Sequence, residues 1–166
     1  MATVRELISA LDTAYPHWLS EDWDAVGLTC GRLDAEVDTV LLAVDPLPQI
    51  VDEAIACGAQ LIVTHHPLFL RGVHEVAATH AKGEVITRCI ENGIALFSAH
   101  TNADHACPGV SDALAQALGL VDLRPLVPDA RDSALGTGRV GSLAAPMTLE
   151  AFGSHVAMAL PATAHG

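Results

Sequence analysis

Apolar residues along this chain recur with two different periods. Near the amino terminus Val4, Leu7, Ile8 and Leu11 fall at helical spacing. Thr3 and Glu6 stand where a capping box needs them, and Pro16 closes the segment. Residues 39–44 (TVLLAV) form a short apolar run, the pattern of a buried strand. Helical spacing returns over Pro48–Cys57, with Ile50, Val51, Ala54 and Ile55 inward and Gly58 as the stop. Leu61–Thr64 (LIVT) predicts a second buried strand. Residues 82–92 predict a helix with Val85, Ile86, Cys89 and Ile90 on one face, ended by Gly93. A third strand is expected over 94–99 (IALFSA), then a helix over 110–118 ended by Gly119. This alternation predicts an α/β fold with a largely parallel sheet flanked by helices.

The tail is patterned differently. Residues 127–138 (VPDARDSALGTG) are polar and turn-rich and read as a linker. A short strand over 139–143 follows, then a helix capped by Thr148 and carrying Leu149, Phe152, Val156 and Leu160. The expected organisation is an α/β domain over 1–126, the linker over 127–138, and the incomplete start of a second segment over 139–166.

Composition narrows function more than fold. The 166 residues are 51% hydrophobic, enough to build a core. Eight Lys+Arg stand against 20 Asp+Glu, a formal net charge of -12. With no basic cluster to neutralise phosphates, nucleic-acid binding is not expected. An acidic surface repels anionic substrates as well, unless bound divalent ions reverse the local field. The cysteines, Cys30, Cys57, Cys89 and Cys107, form no CxxC pair and suggest no disulfide framework, which predicts a reducing, cytoplasmic setting. The first residues are charged where a signal peptide would be apolar, and no apolar run approaches the ~20 residues of a membrane span, so no membrane association is expected. No GxGxxG, GxxxxGK[ST] or GxSxG occurs.

Nine histidines are many beside three Phe, one Tyr and two Trp, and their positions give them meaning. The strand at 61–64 runs straight into His65-His66-Pro67, and the strand at 94–99 into His100-Thr101-Asn102-Ala103-Asp104. Ligands of open α/β sheets bind beyond the carboxyl ends of the strands, so three imidazoles and a carboxylate are expected at one sheet edge. That donor set suits Zn, Mn, Fe, Co or Ni. Adjacent histidines in extended backbone point to opposite sides. A turn at Pro67 would fan them out, and two neighbouring metals ~3.5–4 Å apart would take one each. A lone histidine at a strand end is ordinarily a structural residue; recurrence after two strands argues for metal. His74, His80 and His105 read as solvent-exposed, His155 as surface, and His165 as part of a frayed end. Asp45 follows the strand at 39–44 at the same sheet edge and could face the site, but capping the helix after Pro46 is the preferred reading; Asp22 and Asp24 are expected to belong to a turn. No aromatic residue is obviously placed to stack on a base.

Four segments taken in order carry a resemblance: DWDAVGL (22–28), THHPL (64–68), AHTNAD (99–104) and PGVSDALA (108–115). Together they resemble the GTP cyclohydrolase I type 2 homologue family, also called NIF-three-like dinuclear metal centre proteins, over roughly residues 4–120. The resemblance implies a NIF-three-like fold of two similar α/β halves, a ring-shaped homohexamer, and two divalent metal ions facing the ring interior. His65, His66 and Asp104 match the family's amino-terminal metal ligands, with His66 and Asp104 on one ion and His65 on the other. His100 matches a position close to the metals, orienting ligands or facing substrate. Asn102 is expected to orient its loop. This chain departs from the family at Ala25, usually Asn, and at Ala103, usually a larger apolar residue. The family's further His and bridging Glu, in an H-x-x-x-E-type motif, have no counterpart here, so the second half is expected to be incomplete and the chain truncated at its carboxyl end. Two functions are compatible. One is a dinuclear-metal-dependent hydrolase of a small-molecule substrate, GTP ring opening among them, with His100 shuttling the proton. The other is a non-enzymatic metal-binding scaffold or regulatory interaction protein.

Overall fold

The computed structural model describes residues 1–162, and His165 lies outside the described residues. The chain divides into two compact units, Met1–Ala103 and Asp104–Gly166.

The first unit holds, in chain order, β1 (Ala2–Thr3), α1 (Val4–Ala14), a 3-10 turn (His17–Leu19), β2 (Gly27–Cys30), β3 (Glu36–Val37), β4 (Val40–Ala43), α2 (Pro48–Cys57), β5 (Leu61–Thr64), α3 (Ala81–Glu91) and β6 (Ala95–Ser98). Its main sheet has the order β2-β6-β5-β4. The three predicted strands are its parallel part, in flush register: Ala43 pairs with Thr64, and Thr64 with Ser98. β2 runs antiparallel to β6, with a register shift between Leu28 and Cys30.

Alternation along the central strands sends side chains to two cores. Ile62 and Leu96 face Val51 and Ala54 of α2 and Val85, Ile86 and Cys89 of α3. Leu61, Ala95 and Phe97 face the other way, toward Val4 and the partly buried Leu7, Ile8 and Leu11 of α1. The sheet is thus layered between α1 and the α2–α3 pair. Helix ends follow the sequence signals. Thr3 Oγ1 accepts from the Glu6 N–H at 3.3 Å, and Glu6 returns a carboxylate oxygen to the Thr3 N–H at 2.7 Å. Gly58, with φ 69°, ends α2 in the left-handed region that glycine tolerates.

One expectation changes here. The run at 39–44 is an edge strand rather than a buried one: Leu42 is 74% exposed, because α1 covers only the inner strands on that face. His80 is exposed, as expected, and also has a structural role. It caps α3, its Nδ1 accepting from the Gly83 N–H at 3.0 Å.

The helix α4 (Thr101–His105) carries the chain from the first unit into the second, which continues with α5 (Val110–Ala117), β7 (Leu120–Pro128), β8 (Gly136–Leu143) and α6 (Leu149–Ala159). β7 and β8 form an antiparallel hairpin. The turn-rich stretch 127–138 therefore contains the ends of two strands and the loop joining them. The polar residues there close the loop locally: Asp129 accepts from the Arg131 N–H at 2.7 Å and Asp132 from the Ala134 N–H at 2.9 Å. The anchor of this unit is the Arg139–Asp112 ion pair, whose side chains are 3% and 8% exposed. Arg139 also donates to the Ala106, Gly136 and Gly138 carbonyls. His155 is half-buried, its Nε2 bonded to the Leu118 carbonyl at 3.0 Å. Among the described residues no helix is long and apolar enough to cross a membrane.

Candidate metal centre

The site grows out of the flush ends of β5 and β6. Thr64 Oγ1 donates to the His66 carbonyl at 2.8 Å, so it takes the Ser98 hydroxyl proton across the strands at 3.0 Å. This buried hydroxyl pair fixes the last strand row beneath the histidines. The backbone continues the ladder one step further: the His65 and His66 N–H groups donate to the Ala43 and Val44 carbonyls at 3.1 and 2.9 Å. The chain then leaves the sheet, and the two adjacent rings do not diverge. Their centroids are 5.1 Å apart, and each lies against His100, at 5.1 Å for His65 and 5.5 Å for His66. One ring nitrogen from each of the three lies within 4.8 Å of the others, a group that could hold a metal ion.

Each ring is oriented from behind. His65 Nδ1 lies 3.2 Å from the Ala99 carbonyl, His66 Nδ1 2.7 Å from Asp45, and His100 Nδ1 3.0 Å from Asp24. A carbonyl or carboxylate oxygen only accepts, so each Nδ1 carries a proton, and in the neutral ring the lone pair is then on Nε2. Imidazoles held by a carboxylate or carbonyl at the far nitrogen are the usual form of metal-ligating histidine. The donor chemistry therefore fits a divalent ion. A tetrahedral shell with bonds of ~2.0–2.1 Å separates its donors by about 3.4 Å. A spread of up to 4.8 Å suits one ion after side-chain adjustment, or donors divided between two.

The two carboxylates are corrections to the sequence reading. Asp45 does not cap α2, whose N-cap is Leu47 with no side-chain bond; it holds His66 instead. Asp24 does more than make a turn. Its side chain is fully buried and accepts from His100, the Thr101 hydroxyl and the backbone N–H groups of Thr101 and Ala25. Burial alone would raise its carboxyl, but the bonds from Thr101, His100 and the backbone outweigh it and hold the group below the ordinary range. An aromatic was missed too: Trp23, 59% exposed, meets His100 edge to face at 6.1 Å. Its neighbour Asp24 was the available signal, since a chain that delivers a carboxylate to His100 brings the adjoining ring along. Asn102 orients its loop as expected, accepting from the His100 N–H at 2.9 Å and donating to the Tyr15 carbonyl at 2.8 Å. Asp104 lies in α4, at the first position of the second unit. Among the described residues the grouped donors are the three imidazoles. His74 and His80 line a separate cavity of about 590 Å³ with Phe69 and Lys82, and His105 pairs with Thr137 at 3.1 Å.

The sequence profile of the Duf34/NIF3 (NGG1p interacting factor 3) family matches residues 2–165. The chain belongs to this family. A Streptomyces coelicolor member named GTP cyclohydrolase 1 type 2 homolog is 53% identical over all of this chain and 59% of its own length. A Mycobacterium bovis member of the same name is 54% identical over 69% of this chain and 30% of its own length. The chain thus spans less than two thirds of these family members. Among solved structures, a Staphylococcus aureus hypothetical protein matches with TM-score 0.89 at 29% identity, over 95% of this chain and 64% of its own. A Bacillus cereus protein related to NIF3 matches with TM-score 0.74 at 41% identity, over 77% of this chain and 35% of its own. The family fold, a mixed α/β structure with a mostly parallel sheet, is the fold seen here.

Proposed function

We propose that this chain binds divalent metal through His65, His66 and Asp104 with His100 alongside, and that the longer family protein uses the site as a metal-dependent hydrolase of a small molecule. The observation that carries the reading is the cluster itself: three imidazoles, each with Nδ1 against an oxygen and each offering one ring nitrogen within 4.8 Å of the others. Histidines kept only for packing have no need of three ring nitrogens gathered so closely. A bound divalent ion would supply Lewis acidity and lower the pKa of a water toward ~7. Asp24 supports the charge on His100 should that ring accept a proton at Nε2, the role of a general base. Trp23 walls the site beside His100 and offers a face for a planar substrate. The name shared by the relatives makes GTP the first substrate to test, and the same reading includes assembly into a homohexamer.

Thermal melts of the wild type, His66→Ala and Asp104→Ala, each with chelator and with excess Mn or Zn, test the site. The wild type should melt higher with metal, by ~2.7 kcal/mol of linkage at 100-fold saturation. Both variants should melt like the metal-free wild type under either condition. A wild type indifferent to metal and chelator would end the metal reading. A metal-dependent melt without metal-dependent turnover of GTP or phosphate esters would favour the scaffold function over the hydrolase.

A further inference from the structure

Two of the four cysteines meet, on the α2–α3 side of the sheet. Cys89 of α3 is fully buried in the core that Ile62 and Leu96 enter, and Cys30, the last residue of β2, is half-buried and packs against that same core. β2 and α3 are in contact, and the two thiols lie beside each other there. Both also line one cavity of about 470 Å³, with Gly31, Arg32 and Ile94 among its walls. Cys57 and Cys107 are exposed and line no part of it. Cys30 and Cys89 are 59 positions apart in the chain, so the fold and not local sequence brings them together.

We propose that Cys30 and Cys89 are a redox-active dithiol, converted to an intramolecular disulfide by small-molecule disulfides that reach Cys30 from this cavity. The site is independent of the histidine cluster and of the hydrolase reading. Cys30 stands part-exposed at the cavity wall while Cys89 is fully buried, and the Cys89 thiol beside it favours the Cys30 thiolate. Cys30 is therefore the attacking sulfur. Its thiolate displaces one half of the small disulfide, forming a mixed disulfide and releasing one small thiol. Cys89 then gives up its proton and attacks Cys30 Sγ, and the second small thiol leaves. The protein loses two hydrogens and two electrons; one small disulfide becomes two thiols. Bond formation draws the sulfurs to ~2.0 Å, and the adjoining cavity gives Cys30 room to move.

The test treats the native chain with oxidised glutathione, blocks remaining thiols by alkylation without denaturant, and maps the peptides by mass spectrometry. A Cys30–Cys89 cross-linked peptide, two hydrogens lighter than the two reduced peptides and abolished by dithiothreitol, is the expected product in most molecules. In Cys89→Ala, glutathione should instead accumulate on Cys30. Should that buried substitution prevent folding, Cys30→Ser serves in its place, and Cys89 should then remain an unmodified thiol. Recovery of Cys30 and Cys89 as free thiols while Cys57 and Cys107 carry glutathione would overturn the proposal. So would a cross-link that forms only in denaturant.

Discussion

Asp24 and Asp45 do the same job in different surroundings. Each holds the Nδ1 of a clustered imidazole, but the Asp24 side chain is fully buried and that of Asp45 is 52% exposed. Water can replace the exposed carboxylate and screens its charge, whereas nothing replaces the buried one. Asp24→Ala should therefore weaken metal binding by about 10- to 100-fold, the usual cost of losing such a partner. It also strands the Thr101 N–H and hydroxyl that Asp24 accepts from. Asp45→Ala should cost several-fold less. Competition titration against a chromogenic chelator measures both, and equal losses would show that burial is not what sets the partner's value. The identities of the histidines were legible because each follows directly on an apolar strand. The carboxylate behind His100 was not. Asp24 reaches His100 across 76 positions of sequence, and no local pattern records such a meeting.

At the scale of elements, β2 is where the sheet departs from expectation. It is four residues long, bounded by Gly27 at φ 108° and Gly31 at φ 123°, and no strand was expected over it. Gly31 lies so close to β6 that an added Cβ would stand 2.5 Å from the Ala95 Cβ. Gly31→Ala combines a disfavoured backbone conformation with overpacking against a buried strand. It should destabilise the fold by about 2 kcal/mol or more, read from urea unfolding. A neutral result would mean that β2 can detach from β6 at no cost. The strands β5 and β6 were legible because they are buried on both faces and so written as continuous apolar runs. β7 was not. It carries Pro125, Pro128 and Asp122, the last at φ 53°, and its register slips between Val121 and Arg124. A two-stranded hairpin tolerates such residues, because each strand keeps a free edge.

Across the whole molecule, acidic groups outnumber basic ones by 20 to eight, so each paired cation counts. In the second unit the pair is Arg139–Asp112. Arg139 holds the Asp112 carboxyl below its ordinary value, outweighing burial, with help from the Gly109 N–H. A carboxylate with a depressed folded-state pKa contributes stability that is fully present above its unfolded value of ~3.9. That contribution is lost as the pH falls through the folded value. Hydrogen-exchange protection factors in α5 and β8, corrected for the intrinsic rate, should thus fall on acidification below about pH 4. Asp112→Asn should weaken this unit by about 3 kcal/mol at neutral pH, by leaving Arg139 buried and unpaired, and should flatten its acid response. An unchanged acid profile in the variant would assign the effect to other carboxylates.

The flush row of Ala43, Thr64 and Ser98 bears on which length changes the gene can tolerate. Deleting or inserting one codon inside β5 or β6 would slide a strand end by ~3.3 Å and turn its side chains to the opposite face. The apolar composition of the strand would survive, while the histidines beyond it would no longer meet. Length variants should therefore be recovered in the 129–135 loop of the hairpin and be purged between 61 and 66 and between 95 and 100. A library of single-codon insertions and deletions, sorted first for folding and then for metal retention, would display that asymmetry along the chain.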